Sequence, residues 1–404
     1  ALGRREGAVK RSSVKGPACA RVSPHDPCLT EFLNRVALPA MRRRLKAWYG
    51  RHARDLPWRR TRDPYAIWIS EIMLQQTTVA AVVPYYERFL TAFPTVFALA
   101  EADEHDVLKL WEGLGYYSRG RNLHRAAQVL VHEHGGEFPG DATALQALPG
   151  IGRYTAGAIA SFAFDARAPI VEANTLRLYS RLLGYRGDPR SADGQALLWD
   201  FAEGILPQRD SGRLNQALME LGATVCTPTA PQCATCPLQR DCGAFREGLQ
   251  GEIPPAKPRA QVTHVLEAAV AIERRGRYLL RQRGAEERWA GMWDFPRIEL
   301  QVGTKRDRSS GASAKVRAAV ERRLAESTGL TARIDSLVTD FSHSVTRYRI
   351  RLLCFRARHR AGTIDRNGRA WRWVRASDFR ELALSVSGRR FAGLLAAIGT
   401  NGQT

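Results

Sequence analysis

Four of the chain's seven cysteines lie within one short segment, CTPTAPQCATCPLQRDC, which spans residues 226–242. They are Cys226, Cys233, Cys236 and Cys242, spaced C-x6-C-x2-C-x5-C, whereas Cys19, Cys28 and Cys354 are isolated. Four thiols this close together can converge on one centre, which suits an iron–sulfur cluster or a structural zinc ion. A disulfide framework is the third alternative, but nothing else in the chain indicates secretion. The spacing therefore predicts a metal centre and leaves iron–sulfur and zinc almost equally open.

The hydrophobic pattern divides the 404 residues into segments of different texture. Residues 1–30 lack periodicity and mix Gly, Pro, Ser and Arg, which indicates a disordered basic tail. Residues 31–248 carry apolar side chains at three- and four-residue intervals, which predicts an all-α domain. Closely spaced prolines in residues 249–262 indicate a linker. Residues 263–398 combine β-like stretches with one amphipathic helix, which predicts an α+β domain.

The chain is strongly basic, with a net charge of +21 and a pI near 10.3. Such a charge predicts a polyanionic partner, with nucleic acid first and an anionic membrane surface second. The excess is greatest after residue 262, where 28 Lys and Arg residues face 14 Asp and Glu residues. No apolar run approaches the ~18 residues of a membrane span. We therefore expect a soluble, cytoplasmic protein that binds nucleic acid and carries no clear targeting segment.

The segment LQALPGIGRYTAGAIASFAF predicts two helices joined by a tight turn. The first helix is expected to end near Leu148 and the second to start near Arg153. Gly150 and Gly152 allow the backbone to approach a ligand closely, and the N-terminus of the second helix attracts anions. An ordinary turn between helices is the alternative. In so basic a chain we interpret the segment as a helix-hairpin-helix that grips a DNA phosphate.

Two glutamates stand out by their surroundings. Glu71 is the only acid in the apolar segment YAIWISEIMLQQTTV, where burial would raise its pKa and suit it to general acid catalysis. An ion pair with Arg54 or Arg59 is the alternative. Glu172, in APIVEANTLRLYSR, begins a predicted helix and is either a helix cap or a second reactive carboxylate. Cleavage of a glycosidic bond uses two carboxylates, one to protonate the leaving group and one to stabilise the sugar cation.

Together these motifs resemble the MutY adenine DNA glycosylases of the endonuclease III superfamily. The resemblance is carried by SEIMLQQT, LGYYSRGRNL, LPGIGRYTAGAIAS, EANTLRLYSR and the cysteine loop, and it covers about residues 35–245. It implies that the four clustered cysteines bind a [4Fe-4S] cluster with a structural role. It also implies a monomeric enzyme that flips adenine out of double-stranded DNA and hydrolyses its bond to deoxyribose.

The resemblance implies roles for individual residues. Glu71 matches the acid that protonates adenine N7 and later activates water. Glu172 stands where the family has a catalytic aspartate beside the sugar, with Tyr154 and Asn174 as its companions. The family motif there is Asp-Gly-Asn, whereas this chain has Glu-Ala-Asn, so we expect Glu172 to act from a shifted backbone and not as a mere helix cap. Enzymes that also cut the strand carry lysine where this chain has Tyr154, so an abasic site is the expected product.

Two further groups of residues match DNA-contacting positions of the family. The residues expected to wedge into the duplex beside the flipped base are Leu74, Gln76 and Tyr116. The residues expected to line the adenine pocket are Arg54, Leu56, Trp58, Arg59 and Glu220. With Gly150 and Gly152 of the hairpin, they make up the predicted DNA interface of the helical domain.

The α+β domain resembles the Nudix fold in the segments RWAGMWDFPRIEL and ERRLAESTGL. A Nudix hydrolase needs several metal-binding glutamates in one helix, but Ser327 follows Glu326 here, so hydrolysis is not expected. Phe341, Ser342 and His343 match the loop with which MutY enzymes recognise 8-oxoguanine. The hydroxyl and the imidazole are expected to hydrogen-bond the altered base while the phenyl ring packs behind.

The sequence therefore predicts a monofunctional glycosylase of base excision repair that removes adenine paired with 8-oxoguanine or guanine. A lesion-binding protein with impaired catalysis is the alternative, because Glu172 replaces the family's aspartate. A glycosylase and lyase acting on oxidised pyrimidines is a third hypothesis, which Tyr154 and the segment Phe341–His343 both disfavour.

Overall fold

The computed structural model describes residues 27–257, 261–303, 313–364 and 370–400. Within these residues the α-helices are α1 (Pro27–Arg35), α2 (Leu38–His52), α3 (Pro64–Leu74), α4 (Val79–Ala92), α5 (Val96–Glu101), α6 (Glu104–Trp111), α7 (Ser118–His134), α8 (Ala142–Gln146), α9 (Arg153–Phe164), α10 (Ala173–Leu183), α11 (Ala192–Gly204), α12 (Ser211–Thr224), α13 (Gly243–Arg246), α14 (Ala314–Thr328) and α15 (Val386–Thr400). None of the helices in the described part of the chain is long and apolar enough to span a bilayer.

The strands form one seven-stranded mixed sheet in the C-terminal part of the chain. They are β1 (Thr263–Arg274), β2 (Arg277–Gln282), β3 (Trp293–Asp294), β4 (Arg297–Gly303), β5 (Leu330–Val345), β6 (Tyr348–Gly362) and β7 (Trp371–Val374). The main strand order is β3-β2-β1-β6-β5, with β4 paired to β1 and β7 paired to β2. Strands β1 and β6 are parallel, and the other pairs are antiparallel. The predicted fold class, a helical domain followed by a Nudix-like α+β domain, is confirmed.

One predicted boundary is wrong. Helix α1 begins at Pro27, so the last four residues of the segment predicted as a disordered tail, 27–30, are helical. Phe32 is buried against the ring of Phe201, with 4.9 Å between the ring centroids, and this contact explains why the helix extends so far towards the N-terminus. Residues 1–26 of the predicted tail lie outside the described residues.

Packing divides the chain differently from secondary structure. One compact unit contains the described residues up to Ala53 together with Pro169–Ala256. The other contains Arg54–Ala168 together with the described residues from 261 onwards. The prolines after residue 248 mark the change from helices to strands, but the all-α region belongs to two packing units, because its middle part packs with the C-terminal part of the chain.

The first unit is held together by an apolar core between α2, α10, α11 and α12. Its fully buried side chains include Met41, Leu45, Tyr179, Phe201 and Leu218. Helix α10 has apolar and polar residues on opposite faces, and the apolar face enters this core. The N-terminal end of α10 is polar and therefore lies at the edge of this core. Glu172 directly precedes the helix, and Asn174 is its second residue.

Helix α3 is the most buried element of the second unit, because every residue from Tyr65 to Met73 is inaccessible to solvent or nearly so. Asp63 caps it by accepting a hydrogen bond from the Tyr65 amide, and Pro64 occupies the first helical position, where a missing amide proton is tolerated. The uniformly apolar sequence explains the burial on all sides. Glu71 is the single acid carried into this core.

The sheet has a helix on each face. Strand residues alternate between the two sides, so β1 sends Leu266, Ala268 and Val270 to the α14 side and Ala269 and Ala271 to the α15 side. The sheet also joins the helical part of the second unit: Met292 and Ala383 are buried in the same apolar cluster as α3, α4 and α7. The segments around Met292 and Ala383 thus share a core with the helices.

An ion pair reinforces this junction inside the second unit. Arg389 of α15 donates to both carboxylate oxygens of Glu112, from Nε and Nη2, at 2.8 Å each. The side chain of Glu112 is only 16% exposed, so water screens the pair weakly. A second pair between Lys109 and Glu381 is far more open to solvent.

We predict that Glu112→Gln lowers the free energy of unfolding by about 2 kcal/mol, because Arg389 then keeps no charged partner in a partly buried place. Lys109→Gln is the matched control and should change it by less than about 0.5 kcal/mol. Thermal unfolding of the purified variants measures both. Equal losses for the two variants would mean that burial of the Glu112 pair has no special effect.

Candidate active site

The structure brings two of the predicted site residues into contact. The Tyr154 hydroxyl donates to Oε2 of Glu71 at 2.6 Å. Glu71 is 4% exposed in the middle of α3, and Tyr154 lies in the first turn of α9, which packs on α3. Gln75 reinforces the packing by donating to Thr155 Oγ1 at 3.3 Å. A short hydrogen bond to a carboxyl in an apolar core fixes the position of that carboxyl.

The predicted turn between two helices is confirmed between α8 and α9. Gly150 has a φ of +77°, and a side chain at that position would place its Cβ 2.6 Å from Cβ of Asn122. Gly152 directly precedes α9 as its N-cap residue, and no side chain caps the helix there. A Cβ atom at this position would have no other heavy atom within 4 Å. The phosphate contact at the N-terminus of α9 stays a prediction.

Glu172 is the N-cap of α10, so our expectation that it is no helix cap is wrong. Its Oε1 accepts from the Thr175 amide at 2.9 Å, while its own amide donates to Thr175 Oγ1 at 2.8 Å. This reciprocal pair is a capping box. Glutamate is not a usual N-cap residue, but here the extended backbone lets its longer side chain fold back on the helix end.

The second carboxylate oxygen of Glu172 continues into a chain of hydrogen bonds. Asn174 Nδ2 donates to Glu172 Oε2 at 3.3 Å, and Asn174 Oδ1 accepts from Arg177 Nη2 at 3.0 Å. Arg177 in turn donates from Nε to the Cys226 carbonyl at 2.7 Å. Burial raises the pKa of Glu172, while the amides of Asn174 and Thr175 and the nearby Arg177 act in the opposite direction. The chain links the carboxylate to the start of the cysteine loop.

The four clustered cysteines line one cavity of about 20 Å³. The pKa of Cys236 is raised to about 12 and that of Cys242 to about 11, mainly by burial. Arg181 brings a buried positive charge to the cavity, with Nη1 3.3 Å from the Cys226 sulfur. Within the described residues, no three His, Cys, Asp or Glu side chains lie in an arrangement for a single metal ion. Four soft donors around one cavity beside a cation fit a group that binds several thiolates.

The residues predicted to wedge into DNA lie on two loops of the second unit. Gln76, after α3, and Tyr116, before α7, have left-handed backbones with φ of +60° and +46°. Gln76 is exposed and Tyr116 is 48% exposed, whereas Leu74 is partly buried in the helical core. Left-handed non-glycine residues are strained and persist where the surrounding structure holds them in place.

Arg119 holds both loops and was missed by sequence reasoning. Its guanidinium donates to carbonyl oxygens on either side, at distances of 2.5–3.1 Å. The acceptors are Ile72 and Met73 in the last turn of α3, Gln75 directly after it, and Leu114 and Gly115 before α7. Burial lowers the pKa of Arg119 to about 10. Its place in LGYYSRGRNL carries no signal for this role, because nothing in the sequence shows that the side chain turns inwards.

The residues predicted to line the adenine pocket have different surroundings. Leu56 and Trp58 are buried in the core of the second unit, where the Trp58 ring lies edge-on to Tyr86 at 5.4 Å. Arg54 is exposed, and its carbonyl accepts from Arg59 Nη1 at 3.2 Å. Glu220 is fully buried in α12 of the first unit. The set is thus a mixture of core and surface side chains, and its role in binding adenine stays a prediction.

Phe341, Ser342 and His343 lie in strand β5 and not in a loop, which corrects the prediction. They pair with Leu352, Arg351 and Ile350 of β6. Because strand residues alternate, Phe341 and His343 point to one face of the sheet and Ser342 to the other. Ser342 and His343 nevertheless both line one cavity of about 460 Å³, whereas Phe341 does not. An apolar-polar alternation is visible in DFSHSV, but the preference for a loop came from the resemblance.

His343 lies in a basic, partly buried environment. Burial and the nearby Arg297 and Arg288 lower its pKa to about 4, so the imidazole is neutral at pH 7. In the described part of the structure neither ring nitrogen has a hydrogen-bond partner. A neutral imidazole has one donor and one acceptor nitrogen, so His343 can exchange both kinds of hydrogen bond with a ligand.

Comparison with protein families matches both parts of the chain. Residues 69–203 match the model for an HhH-GPD superfamily base excision DNA repair protein, and residues 267–392 match the model for a NUDIX domain. A solved thymine-DNA glycosylase structure, 28% identical, covers 52% of this chain with a TM-score of 0.46.

Three adenine DNA glycosylases illustrate the similarity to characterised relatives. The rat protein is 46% identical over 55% of this chain and 45% of its own length. The human protein is 36% identical over 69% of this chain and 61% of its own length. The protein of Buchnera aphidicola from Acyrthosiphon pisum is 35% identical over 62% of this chain and 72% of its own length. The chain thus spans about half to three fifths of the mammalian relatives.

We predict that Arg119→Lys loosens both loops, because an ammonium group cannot reach five carbonyl oxygens at once. Amide exchange at residues 76–78 and 113–116 should become roughly tenfold faster, as expected from the loss of about 1.4 kcal/mol of local stability. Hydrogen exchange with mass spectrometry measures this. Arg125→Lys, an exposed change on the same helix, is the control. Unchanged exchange in both loops would show that they are held by something else.

Proposed function

This chain belongs to the adenine DNA glycosylase family, and from that premise we propose that it removes adenine paired with 8-oxoguanine from duplex DNA. The observation that carries the proposal is the short hydrogen bond between Tyr154 and Glu71 inside an apolar core. A carboxyl buried in such a core is suited to give a proton to a leaving base. The basic charge of the chain and the exposed Gly152 directly before α9 support binding to DNA phosphates.

In the proposed reaction Glu71 protonates N7 of the flipped adenine. The bond between N9 and C1′ breaks, and the electron pair stays with the base. A water molecule, deprotonated by Glu71, then adds to C1′ of the cationic sugar, so that adenine and an abasic site are released. Tyr154 orients Glu71 through its hydroxyl, and, as a phenol in place of an amine, it forms no Schiff base. We therefore propose hydrolysis without strand cleavage.

Glu172 is proposed to stabilise the sugar cation by its negative charge. Its carboxylate is held by the Thr175 amide and by Asn174, so it is fixed in advance of the reaction. The same contacts also support a second candidate function. A carboxylate occupied in a helix cap is less available to a sugar, which favours a lesion-binding protein with impaired catalysis.

A [4Fe-4S] cluster is proposed to bind at Cys226, Cys233, Cys236 and Cys242. The shared cavity and the buried Arg181 support this choice, because a cationic neighbour favours thiolates. Bound there, the cluster supplies structural cross-links within the loop and no step of the reaction. Arg177 and Arg181 hold the backbone of the loop start through the carbonyls of Cys226 and Thr227.

The α+β domain is proposed to read the base opposite adenine. His343 provides a neutral imidazole, and neither of its ring nitrogens has a hydrogen-bond partner among the described residues. Pyrophosphate hydrolysis is not proposed, because Glu326 is exposed and near Arg322, while the Ser327 hydroxyl donates to the Leu324 carbonyl. The partner is thus proposed to be double-stranded DNA that contains an 8-oxoguanine:adenine pair, bound by a monomer.

We predict that Glu71→Gln lowers the single-turnover rate of adenine release by about a hundred- to ten-thousandfold, because an amide cannot donate the proton. The assay uses a duplex with one 8-oxoguanine:adenine pair, followed by alkali to cut abasic sites. Thr143→Ser, a change at an exposed position of α8, is the control. Tight binding of this duplex by the unaltered chain without any abasic product would favour the lesion-binding alternative.

We predict that Glu172→Gln and Glu172→Ala separate the charge from the cap. The glutamine can still accept from the Thr175 amide, so its free energy of unfolding should stay within about 0.5 kcal/mol, whereas alanine should cost about 1 kcal/mol. Both should slow adenine release by about a hundredfold or more if the charge matters. Thermal unfolding and the excision assay measure the two effects. If Glu172→Gln released adenine at the normal rate, the role of Glu172 would be limited to capping α10.

A further inference from the structure

One cleft of about 560 Å³ lies within the second unit. One wall is formed by the loop before α7 and the start of that helix. The other is formed by residues 287–290 and the end of β5. The aromatic and cationic side chains and the threonine that line the cleft include Tyr116, Arg121, Trp289, His343, Thr346 and Arg390. Aromatic rings beside cationic groups are the chemistry with which proteins hold nucleotide bases and phosphates.

Backbone strain is concentrated around this cleft. Among the described non-glycine residues, eight have left-handed backbones, and three of these line the cleft. They are Tyr116, Trp289 and Thr346, with φ of +46°, +60° and +50°. Such a conformation is strained and is often kept where a ligand must be held. A large aromatic residue such as Trp289 is an unusual occupant of this region.

The indole of Trp289 is held firmly. The guanidinium carbons of Arg283, Arg288 and Arg297 lie 5.3, 5.6 and 5.5 Å from its ring centroid. The position of the next residue, Ala290, is fixed as well, because its carbonyl accepts a hydrogen bond from Arg121 of α7. Part of the ring packs against the apolar core of the helices, and the rest lines the cleft. The ring is therefore oriented before any ligand arrives.

Trp289 lies beside the residue expected to read the lesion. Its ring centroid is 6.1 Å from that of His343, and the two planes are tilted by 38°. Indole offers an apolar face, while the neutral imidazole offers a donor and an acceptor. Ser342 is not among the residues that line this cleft. Trp289 is the large flat surface next to His343.

We propose that the indole of Trp289 is the stacking surface for the base opposite the target adenine, and that it holds this base against His343. The proposal rests on the proposed function, since it takes the cleft to be occupied by a base of the duplex. It adds a binding residue outside the segment Phe341–His343. Stacking of a base on an aromatic ring strengthens binding by about ten- to a hundredfold.

The test measures affinity for two uncleavable duplexes at one fixed salt concentration. In the first, 8-oxoguanine faces 2′-fluoro-2′-deoxyadenosine; in the second, a tetrahydrofuran abasic analogue faces the same nucleotide. Trp289→Leu should weaken binding of the first duplex about tenfold or more and leave binding of the second unchanged, because the second offers no base to stack. Trp289→Phe, which keeps an aromatic face, should bind both duplexes nearly as the unaltered chain does.

Trp293→Leu is the matched control, since Trp293 lies in the same segment of the chain but does not line the cleft. Equal losses of affinity for both duplexes in Trp289→Leu would overturn the proposal and leave the indole a packing role only. Unchanged affinity for the first duplex would overturn it too. Binding of free 8-oxodeoxyguanosine monophosphate as tightly as the duplex would replace it with a nucleotide site.

The affinity test does not depend on catalysis, because neither duplex can be cleaved. Failure of the unaltered chain to release adenine would count against the proposed function alone. If Trp289→Leu and the unaltered chain bound each of the two duplexes with the same affinity, that result would count against the stacking role alone.

Discussion

The loops around the predicted DNA-contacting residues depend on one buried positive charge. Removing the Arg119 guanidinium from water is unfavourable, as its lowered pKa indicates. The structure offsets this cost because carbonyl oxygens of two separate loops surround the group and need donors of their own. Gln76 and Tyr116 are held in left-handed conformations next to these carbonyls. The shape of both loops is therefore a property of a residue that belongs to neither.

The first unit uses the same device twice on helix α10. Arg177 donates to the carbonyls of Gly222 and Cys226, and Arg181 to those of Thr227 and Ile253. These contacts fix the segment that enters the cysteine loop through its backbone, independently of its thiols. Since Arg177 also binds Asn174, the end of α10 and the cysteine loop share one network of hydrogen bonds. Substitutions in the cysteine loop should thus alter the hydrogen bonds that position the carboxylate of Glu172.

Much of the architecture could be predicted because it follows from local patterns. Apolar residues at helical spacing gave the helices, and glycines gave the turn before α9, since a left-handed backbone at Gly150 is a requirement of the chain itself. Long-range packing could not be predicted. Nothing local shows that Arg119 turns inwards or that DFSHSV pairs with β6. The cap at Glu172 could not be predicted from the family motif, because it depends on a reciprocal hydrogen bond with Thr175, three residues further on.

The capping box at Glu172 ties the order of a helix to the availability of a carboxylate. If Oε1 turned towards a ligand, the Thr175 amide would lose its acceptor, at a cost of about 1 kcal/mol. Binding energy from elsewhere in a complex would have to supply that amount. Helix α10 would then fray at its first turn whenever the carboxylate was fully engaged. The backbone amide of Thr175 is therefore a natural spectroscopic reporter, whose signal would change between a resting and an occupied site.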